Sequence, residues 1–208
     1  MDYEAAREEL ADRLARREGL SEPTIAAMKA VPRHAFVPES RRGSAYADRP
    51  LPIGDDQTIS APHMVAIMTD LLGVEAGDSV LEIGTGCGYH AAVTSEVVGP
   101  ENVYSVEFSS DLAGRARETL ERIGYGRVGI RQGDGRAGWP ENAPYEAAYF
   151  TCAVPEIPDD VAEQVRSGGT VLAPVGEFSQ RLVRARVGDE GIAEREAHGA
   201  VRFVSIRG

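Results

Sequence analysis

Three acids and a run of glycines carry the chemistry that can be read from this 208-residue chain. The segment "VLEIGTGCGYH" (80–90) puts Glu82 in an apolar run and follows it with Gly84, Gly86 and Gly88. Closely spaced glycines after a strand let the backbone approach a ligand, and the next helix then points its N-terminal amides at the same place. Glu107 comes 19 residues after Gly88. That distance suits a ribose diol, because two carboxylate oxygens can each accept a hydroxyl proton. In "GDG", Gly133-Asp134-Gly135, a carboxylate held between glycines can meet an adenine amino group edge-on. Each feature alone has a plain explanation: a tight turn, a solvated strand-end charge, an Asx turn. At three successive strand ends they read together as a nucleoside pocket.

Two cofactor classes fit such a pocket. From Gly86, "GCGYHA" satisfies G-x-G-x-x-A and allows a dinucleotide. Against that, the chain leaves no obvious second domain for a dehydrogenase substrate. The pattern as it stands, acid-x-Gly-x-Gly-x-Gly, is similar to the first motif of S-adenosylmethionine-dependent methyltransferases. That cofactor has no pyrophosphate to cradle, so the glycines would admit its amino-acid part, with Glu82 engaging polar groups there directly or through water. A Ser/His/Asp hydrolase built on Ser60 and His63 fails for want of a G-x-S-x-G elbow.

The elements that must position these residues follow from periodicity. Helical spacing over 3–18 puts Ala6, Leu10 and Leu14 on one face, and a second helix follows Ser21 with Pro23 in its first turn. Residues 31–60 hold four prolines and two glycines, too long a stretch for an ordinary loop and therefore a functional candidate. From 61 onward helices (61–72, 89–99, 109–124, 158–169) alternate with strands (78–83, 102–108, 127–133, 145–154, 170–176). Segments 180–188 and 200–206 read as closing antiparallel strands. The expected fold is α/β: a Rossmann-like, mostly parallel, doubly wound sheet with helices on both faces and an antiparallel C-terminal strand. One domain is expected, with 1–60 covering the site and 61–208 forming the core.

The segments "PRHAFVPE" (32–39), "QTISAPHM" (57–64), "VLEIGTGCGYHAAV" (80–93), "GDGRAGWPENAPYEA" (133–147), "APVG" (173–176) and "VRFVSI" (201–206) resemble the protein-L-isoaspartate O-methyltransferase family. The resemblance runs from about 31 to 206, and "QTISAPHM" is its most specific part. It implies methyl transfer from S-adenosyl-L-methionine to the free carboxylate of L-isoaspartyl residues in aged proteins and peptides, followed by cyclisation to a succinimide. The alternative is a methyltransferase of the same fold acting on a small molecule. By resemblance Ser60 is the catalytic residue, fixing the isoaspartyl carboxylate beside the methyl group, although Ser60 also stands where an N-cap would. The implied cofactor contacts are Gln57, Thr58, Ile59, Ser60, His63, Glu82, Gly84, Gly86, Cys87, Gly88, Glu107, Asp134 and Gly135, with Val154, Pro155 and Glu156 on a substrate rim. The chain departs from the family where Cys87 replaces the usual Ser, where His90 replaces the commoner Gln or Leu, and where "TCAV" (151–154) replaces Ala-rich forms. Cys87 and Cys152 are candidates for a redox-sensitive pair.

Composition bounds the rest. Thirty-three acids against 22 basic residues give a net charge of -11. Only Lys29 among the basic residues is a lysine. Such self-repulsion suggests a salt-loving host, unless a GC-rich genome simply writes Arg for Lys. It also argues against a nucleic-acid partner. No metal-ligand spacing, secretory signal or membrane span is present in the sequence. A cytoplasmic, metal-free monomer acting on isoaspartyl proteins and peptides is the expectation.

Overall fold

The computed structural model describes residues 2–208. Helix α1 (Tyr3–Glu18) is capped by Asp2, whose side chain accepts from the amides of Glu4 and Ala5, and it ends at Gly19 in the left-handed conformation. Helix α2 (Glu22–Ala30) follows. Residues 31–60 hold two 3-10 turns (Arg33–Phe36 and Glu39–Ser44) and a hairpin of β1 (Leu51–Gly54) with β2 (Gln57–Ile59). Arg33, fully buried, ties this segment down. Its Nε donates to the Ala45 carbonyl at 2.9 Å, and its guanidinium lies 4.9 Å from the centre of the Tyr89 ring.

Helix α3 (Pro62–Leu72) leads to β3 (Val80–Ile83), α4 (Tyr89–Val98), β4 (Val103–Glu107), α5 (Ser110–Arg122), β5 (Gly129–Gln132), β6 (Tyr145–Phe150), α6 (Asp159–Ala162) and β7 (Val165–Val175). The antiparallel strands β8 (Gln180–Gly188) and β9 (Gly191–Val201) complete a sheet of order β5-β4-β3-β6-β7-β8-β9. The first five of these are parallel. From β3 the chain goes first to β4 on one side and later to β6 on the other, so the switch point, where open α/β sheets bind ligands, lies at the end of β3.

The two faces are covered unequally. Residues of α1 to α5, Leu10 and Leu120 among them, join Val80, Val103 and Tyr149 in one core. The other face (Leu81, Ile83, Phe150) is covered by Val161 and Ala162 of α6, by Trp139, and by Val204 and Ile206 of the C-terminal tail.

Three expectations are corrected. The helix expected over 158–169 is the single turn α6, because Val165 already pairs with Tyr145 across a bulge and belongs to β7. The strand expected over 145–154 ends at Phe150; only Ala153 and Val154 make isolated bridges beyond it. The last strand is Gly191–Val201 rather than 200–206. Its largely exposed, charged sequence shows no apolar alternation, yet Glu194 and Glu196 stand opposite Arg186 and Arg184 of β8, favourable cross-strand pairs on a charged edge. The residues after Val201 leave the sheet, and Ser205 bridges to Ala153 beyond the end of β6.

Candidate active site

The strand ends and the N-terminal hairpin enclose one cleft, with about 770 Å³ of free space counting its open mouth. Its walls are β2 and the residue after it (57–60), the glycine loop (84–87), Glu107 at the end of β4 with Phe108 after it, Gly135, Thr151 and Cys152 after β6, and the tail 204–207.

The glycine loop is cradled by its neighbours. Gly84, Gly86 and Gly88 have φ of +99°, +56° and +88°. A Cβ on Gly84 would collide with the Thr151 side chain, and one on Gly135 with Ile83. The Thr151 hydroxyl donates to the Gly84 carbonyl and so fixes the loop against the end of β6. Glu107 is 7% exposed, and its carboxylate accepts from the Gly86 amide at 2.7 Å through Oε2 and from the Ser109 amide at 2.9 Å through Oε1. Each oxygen keeps lone-pair capacity for a further donor, which is what a vicinal diol requires. Phe108, half exposed, and Gly135 flank this end with an apolar side chain and bare backbone.

Ser60 borders the cleft immediately before α3. Ala61, not Ser60, is the N-cap, and no side chain caps the helix, so the Ser60 hydroxyl is not spent on the cap. Gln57, Thr58 and Ile59 line the same wall.

Four of the residues named from sequence lie outside the lining. Glu82 is fully buried behind the loop. Register sets it beside Ser105 and Tyr149, with Tyr149 donating to its Oε1 at 2.8 Å and the Ser105 hydroxyl bonded to Oε2. Burial, against these hydrogen bonds, pushes its pKa up to about 8. His63 turns to Asp48, whose Oδ1 accepts from the His63 amide at 2.9 Å and sits 2.8 Å from the ring Nδ1. Gly88 packs against Leu120 of α5. Asp134 caps the 3-10 turn after it and pairs with Arg136. Of the expected rim, Val154 is buried in a bridge to Val175, while Pro155 and Glu156 are exposed away from the lining.

The cleft also brings in residues that strand-end reading left unassigned to the cofactor: Thr85, Thr151, His90, Tyr89 and the tail 204–207. The tail sits near the strand ends only because it departs from β9. Arg207 spans from it to the hairpin, donating to Asp55 Oδ2 at 2.9 Å and to the Asp55 carbonyl at 2.7 Å. Cys87 and Cys152 both border the cleft as free thiols, pushed by burial to about 11 and about 12. At neutral pH neither is a thiolate, which removes the usual basis for a reactive pair. Among the described residues no group of three His, Cys, Asp or Glu side chains could hold a metal ion.

Comparison with known proteins agrees with this geometry. The profile of the family "Protein-L-isoaspartate(D-aspartate) O-methyltransferase" matches residues 5–208. A protein of Archaeoglobus fulgidus named protein-L-isoaspartate O-methyltransferase 2 is 49% identical over 209 residues, covering 100% of this chain and 95% of its own. One of Methanothrix thermoacetophila with the same enzyme name is 52% identical over 168 residues, 80% of each chain. A solved protein-L-isoaspartate O-methyltransferase superposes with a TM-score of 0.90 at 32% identity, covering 97% of this chain and 66% of that one. A second, from Plasmodium falciparum in complex with S-adenosyl-L-homocysteine, shares the fold at a TM-score of 0.83 and 23% identity. With its whole length matched by sequence and its cleft built at the switch point of the same fold, this chain belongs to the protein-L-isoaspartate(D-aspartate) O-methyltransferase family.

Proposed function

We propose that this protein carries out its family's reaction, methyl transfer from S-adenosylmethionine to the side-chain carboxylate of L-isoaspartyl residues in proteins and peptides, with residues 57–60 holding the acceptor. The observation that carries the reading is that one cleft is lined both by the glycine loop with Glu107 and by the segment ending in Ser60. In this reading the glycine loop with Glu107 serves the nucleoside and the segment ending in Ser60 serves the acceptor, and their sharing one cleft supports it.

When bound, S-adenosylmethionine supplies a sulfonium methyl group whose leaving group is a neutral thioether. Glu107 would hold its ribose hydroxyls, and the bare backbone at Gly84 and Gly86 would accept its amino-acid part. The Ser60 hydroxyl would donate to the acceptor carboxylate and hold one oxygen towards the methyl carbon. A carboxylate is already ionised at pH 7, so no general base is required. The lining agrees with that: Cys87 and Cys152 stay protonated, and burial lowers His90 to about 3, leaving it neutral. Catalysis then rests on alignment, for which oriented reactants gain roughly 7–11 kcal/mol. The ester formed closes to a succinimide without the enzyme: the next residue's backbone nitrogen bonds to the ester carbonyl carbon, the carbon–methoxy bond breaks, and methanol leaves with the amide proton.

We treat the chain as a single domain, since Leu10 and Leu14 of α1 share a core with Tyr149 and Leu172 of the sheet. We also infer a monomer in the cytoplasm of a salt-adapted cell; no helix among the described residues is long and apolar enough to cross a membrane. The deciding assay is transfer of label from S-adenosylmethionine, in 2–3 M KCl, to one synthetic peptide in isoaspartyl and aspartyl forms. Label on the isoaspartyl form alone is expected. Label on neither, with the cofactor still bound, would point to a small-molecule acceptor.

A further inference from the structure

Ser60 stands on the two-residue link between β2 and α3, and one short segment grips the chain on both sides of it. On one side, Ile59 of β2 pairs with Leu51 of β1. On the other, α3 begins at Pro62, whose ring disfavours a helical conformation at the residue before it. Ala61 is therefore extended (φ -57°, ψ 142°) and takes the N-cap position, where it has no side-chain acceptor to offer. What Ala61 lacks comes from outside the helix. Asp48, three residues before Leu51, accepts from the His63 amide at 2.9 Å and from the His63 ring Nδ1 at 2.8 Å, both through Oδ1.

The carboxylate is itself braced. Arg17, in the last turn of α1, donates to Oδ2 at 2.8 Å. Burial opposes ionisation of Asp48, but the His63 amide and ring and the Arg17 guanidinium hold its carboxyl below the ordinary value of 3.8. The other first-turn positions of α3 are already settled: Pro62 has no amide proton, and the amides of Met64 and Val65 bond the Ala61 carbonyl at 3.0 and 3.2 Å. No first-turn amide is left for the Ser60 hydroxyl to accept. We propose that Asp48 is a positioning residue for methyl transfer: by holding the His63 amide it fixes the link that carries Ser60 and leaves the serine hydroxyl to the acceptor carboxylate. Arg17 holds Asp48 in place for that role. The inference rests on the acceptor role of Ser60 argued above.

The test is a double-mutant cycle in the full chain, read as kcat for methylation of an isoaspartyl peptide. Asp48→Ala should lower kcat about tenfold when Ser60 is present, the size of one hydrogen bond to a charged group. In the Ser60→Ala background the same change should cost less than about twofold, because the group it positions is gone. Calorimetry should show S-adenosylhomocysteine affinity within about twofold of wild type throughout, so that the loss falls on kcat. Asp48→Asn keeps an acceptor oxygen for the His63 amide and should recover most of the turnover. Equal slowing in both backgrounds would make Asp48 a structural tie only and overturn the proposal, as would wild-type turnover in Asp48→Ala. Where Asp48→Ala does not fold, Arg17→Ala carries the cycle, since its guanidinium is half exposed. Its loss of kcat should be roughly two- to threefold with Ser60 present and absent without it, as for an exposed ion pair. Equal losses, or none, overturn the proposal in that cycle too. Failure of the wider reading is seen separately: if the wild-type protein leaves the isoaspartyl peptide unlabelled, or Ser60→Ala turns over normally, the acceptor role of Ser60 falls and this inference with it, before any Asp48 variant is made.

Discussion

In the proposed mechanism Ser60 needs an oxygen at its position, whereas Gly84 tolerates no added carbon. The Ser60 hydroxyl does not cap α3, so removing it should leave the helix intact. A hydrogen bond to a charged partner contributes about 1.5–3 kcal/mol, so Ser60→Ala is expected to lower kcat roughly 10- to 100-fold. Its S-adenosylhomocysteine affinity and melting temperature should match wild type. Unchanged turnover, measured on an isoaspartyl peptide, would return Ser60 to a passive place in the wall. Gly84→Ala should fail differently. With φ at +99° and the Thr151 side chain in the way, an added methyl must shift the loop or the end of β6. Backbone strain of this kind costs about 1–3 kcal/mol. In a chain of this size that lowers the melting temperature by roughly 2–10 °C. Cofactor affinity should fall with it, because the loop is the wall. A variant that melts like wild type and binds normally would show that the loop has slack that the geometry does not suggest.

At the level of elements, parallel register explains a residue whose sequence position misleads. Glu82 is the penultimate residue of β3, where a ligand contact is expected, yet pairing sets it between Ser105 of β4 and Tyr149 of β6, on the face beneath α4. Thr94 of α4 bonds the Tyr149 hydroxyl at 3.0 Å and closes the network from above. Burial raises the Glu82 pKa from 4.5 to about 8 in the folded protein. The unfolded chain therefore loses its proton first as pH rises, and folding stability should fall between about pH 4.5 and 8, then level off. The slope is at most about 1.4 kcal/mol per pH unit. Glu82→Gln keeps the shape without the titration, so denaturant melts should show a flatter profile over that window and a gain near pH 8. A wild-type profile that already matches the variant would mean Glu82 is ionised in the fold. This case also marks the boundary of what the sequence discloses. Helices α3, α4 and α5, the buried strands β3 and β4, and the partly exposed edge strand β5 are legible because periodicity and glycine stops are local signals. The site was legible as far as it follows strand ends: Gly84, Gly86, Glu107 and Gly135 all border the cleft. Glu82, Asp134 and His63 lie outside it because their partners, Tyr149, Arg136 and Asp48, are chosen by register or by neighbouring turns. Residues 200–206 read as strand, since their alternation is real. Ala200 and Val201 do end β9, but the strand lies mostly upstream, in the β8–β9 hairpin, whose charged pairing offers no hydrophobic signal, and the residues after Val201 leave the sheet.

For the whole molecule, two electrostatic effects oppose each other, and their balance decides how the protein responds to salt. Most ion pairs lie at the surface, such as Arg13–Glu9, Arg115–Asp111 and Arg127–Glu101, with both partners well exposed. Each contributes between about 0 and 1 kcal/mol and is weakened by added salt. Against them stands a net charge of -11, whose mutual repulsion acts over the whole surface and is weakened by the same salt. At low ionic strength the screening length is about 30 Å, comparable with a domain, and at 1 M it is about 3 Å. Repulsion between distant like charges is therefore removed early, whereas pairs in direct contact lose least. The expected sign follows: the melting temperature should rise with KCl, most steeply below about 0.5 M, where the screening length changes most. Potassium chloride also strengthens apolar burial modestly, so a parallel series in sucrose, which does so without screening, separates the two contributions. A rise in KCl that sucrose does not reproduce assigns the effect to charge and supports a salt-adapted cell as the protein's setting. A flat or falling curve in KCl would mean that the surface pairs outweigh the net repulsion, and the scarcity of lysine would then reflect only how the genome writes its basic residues.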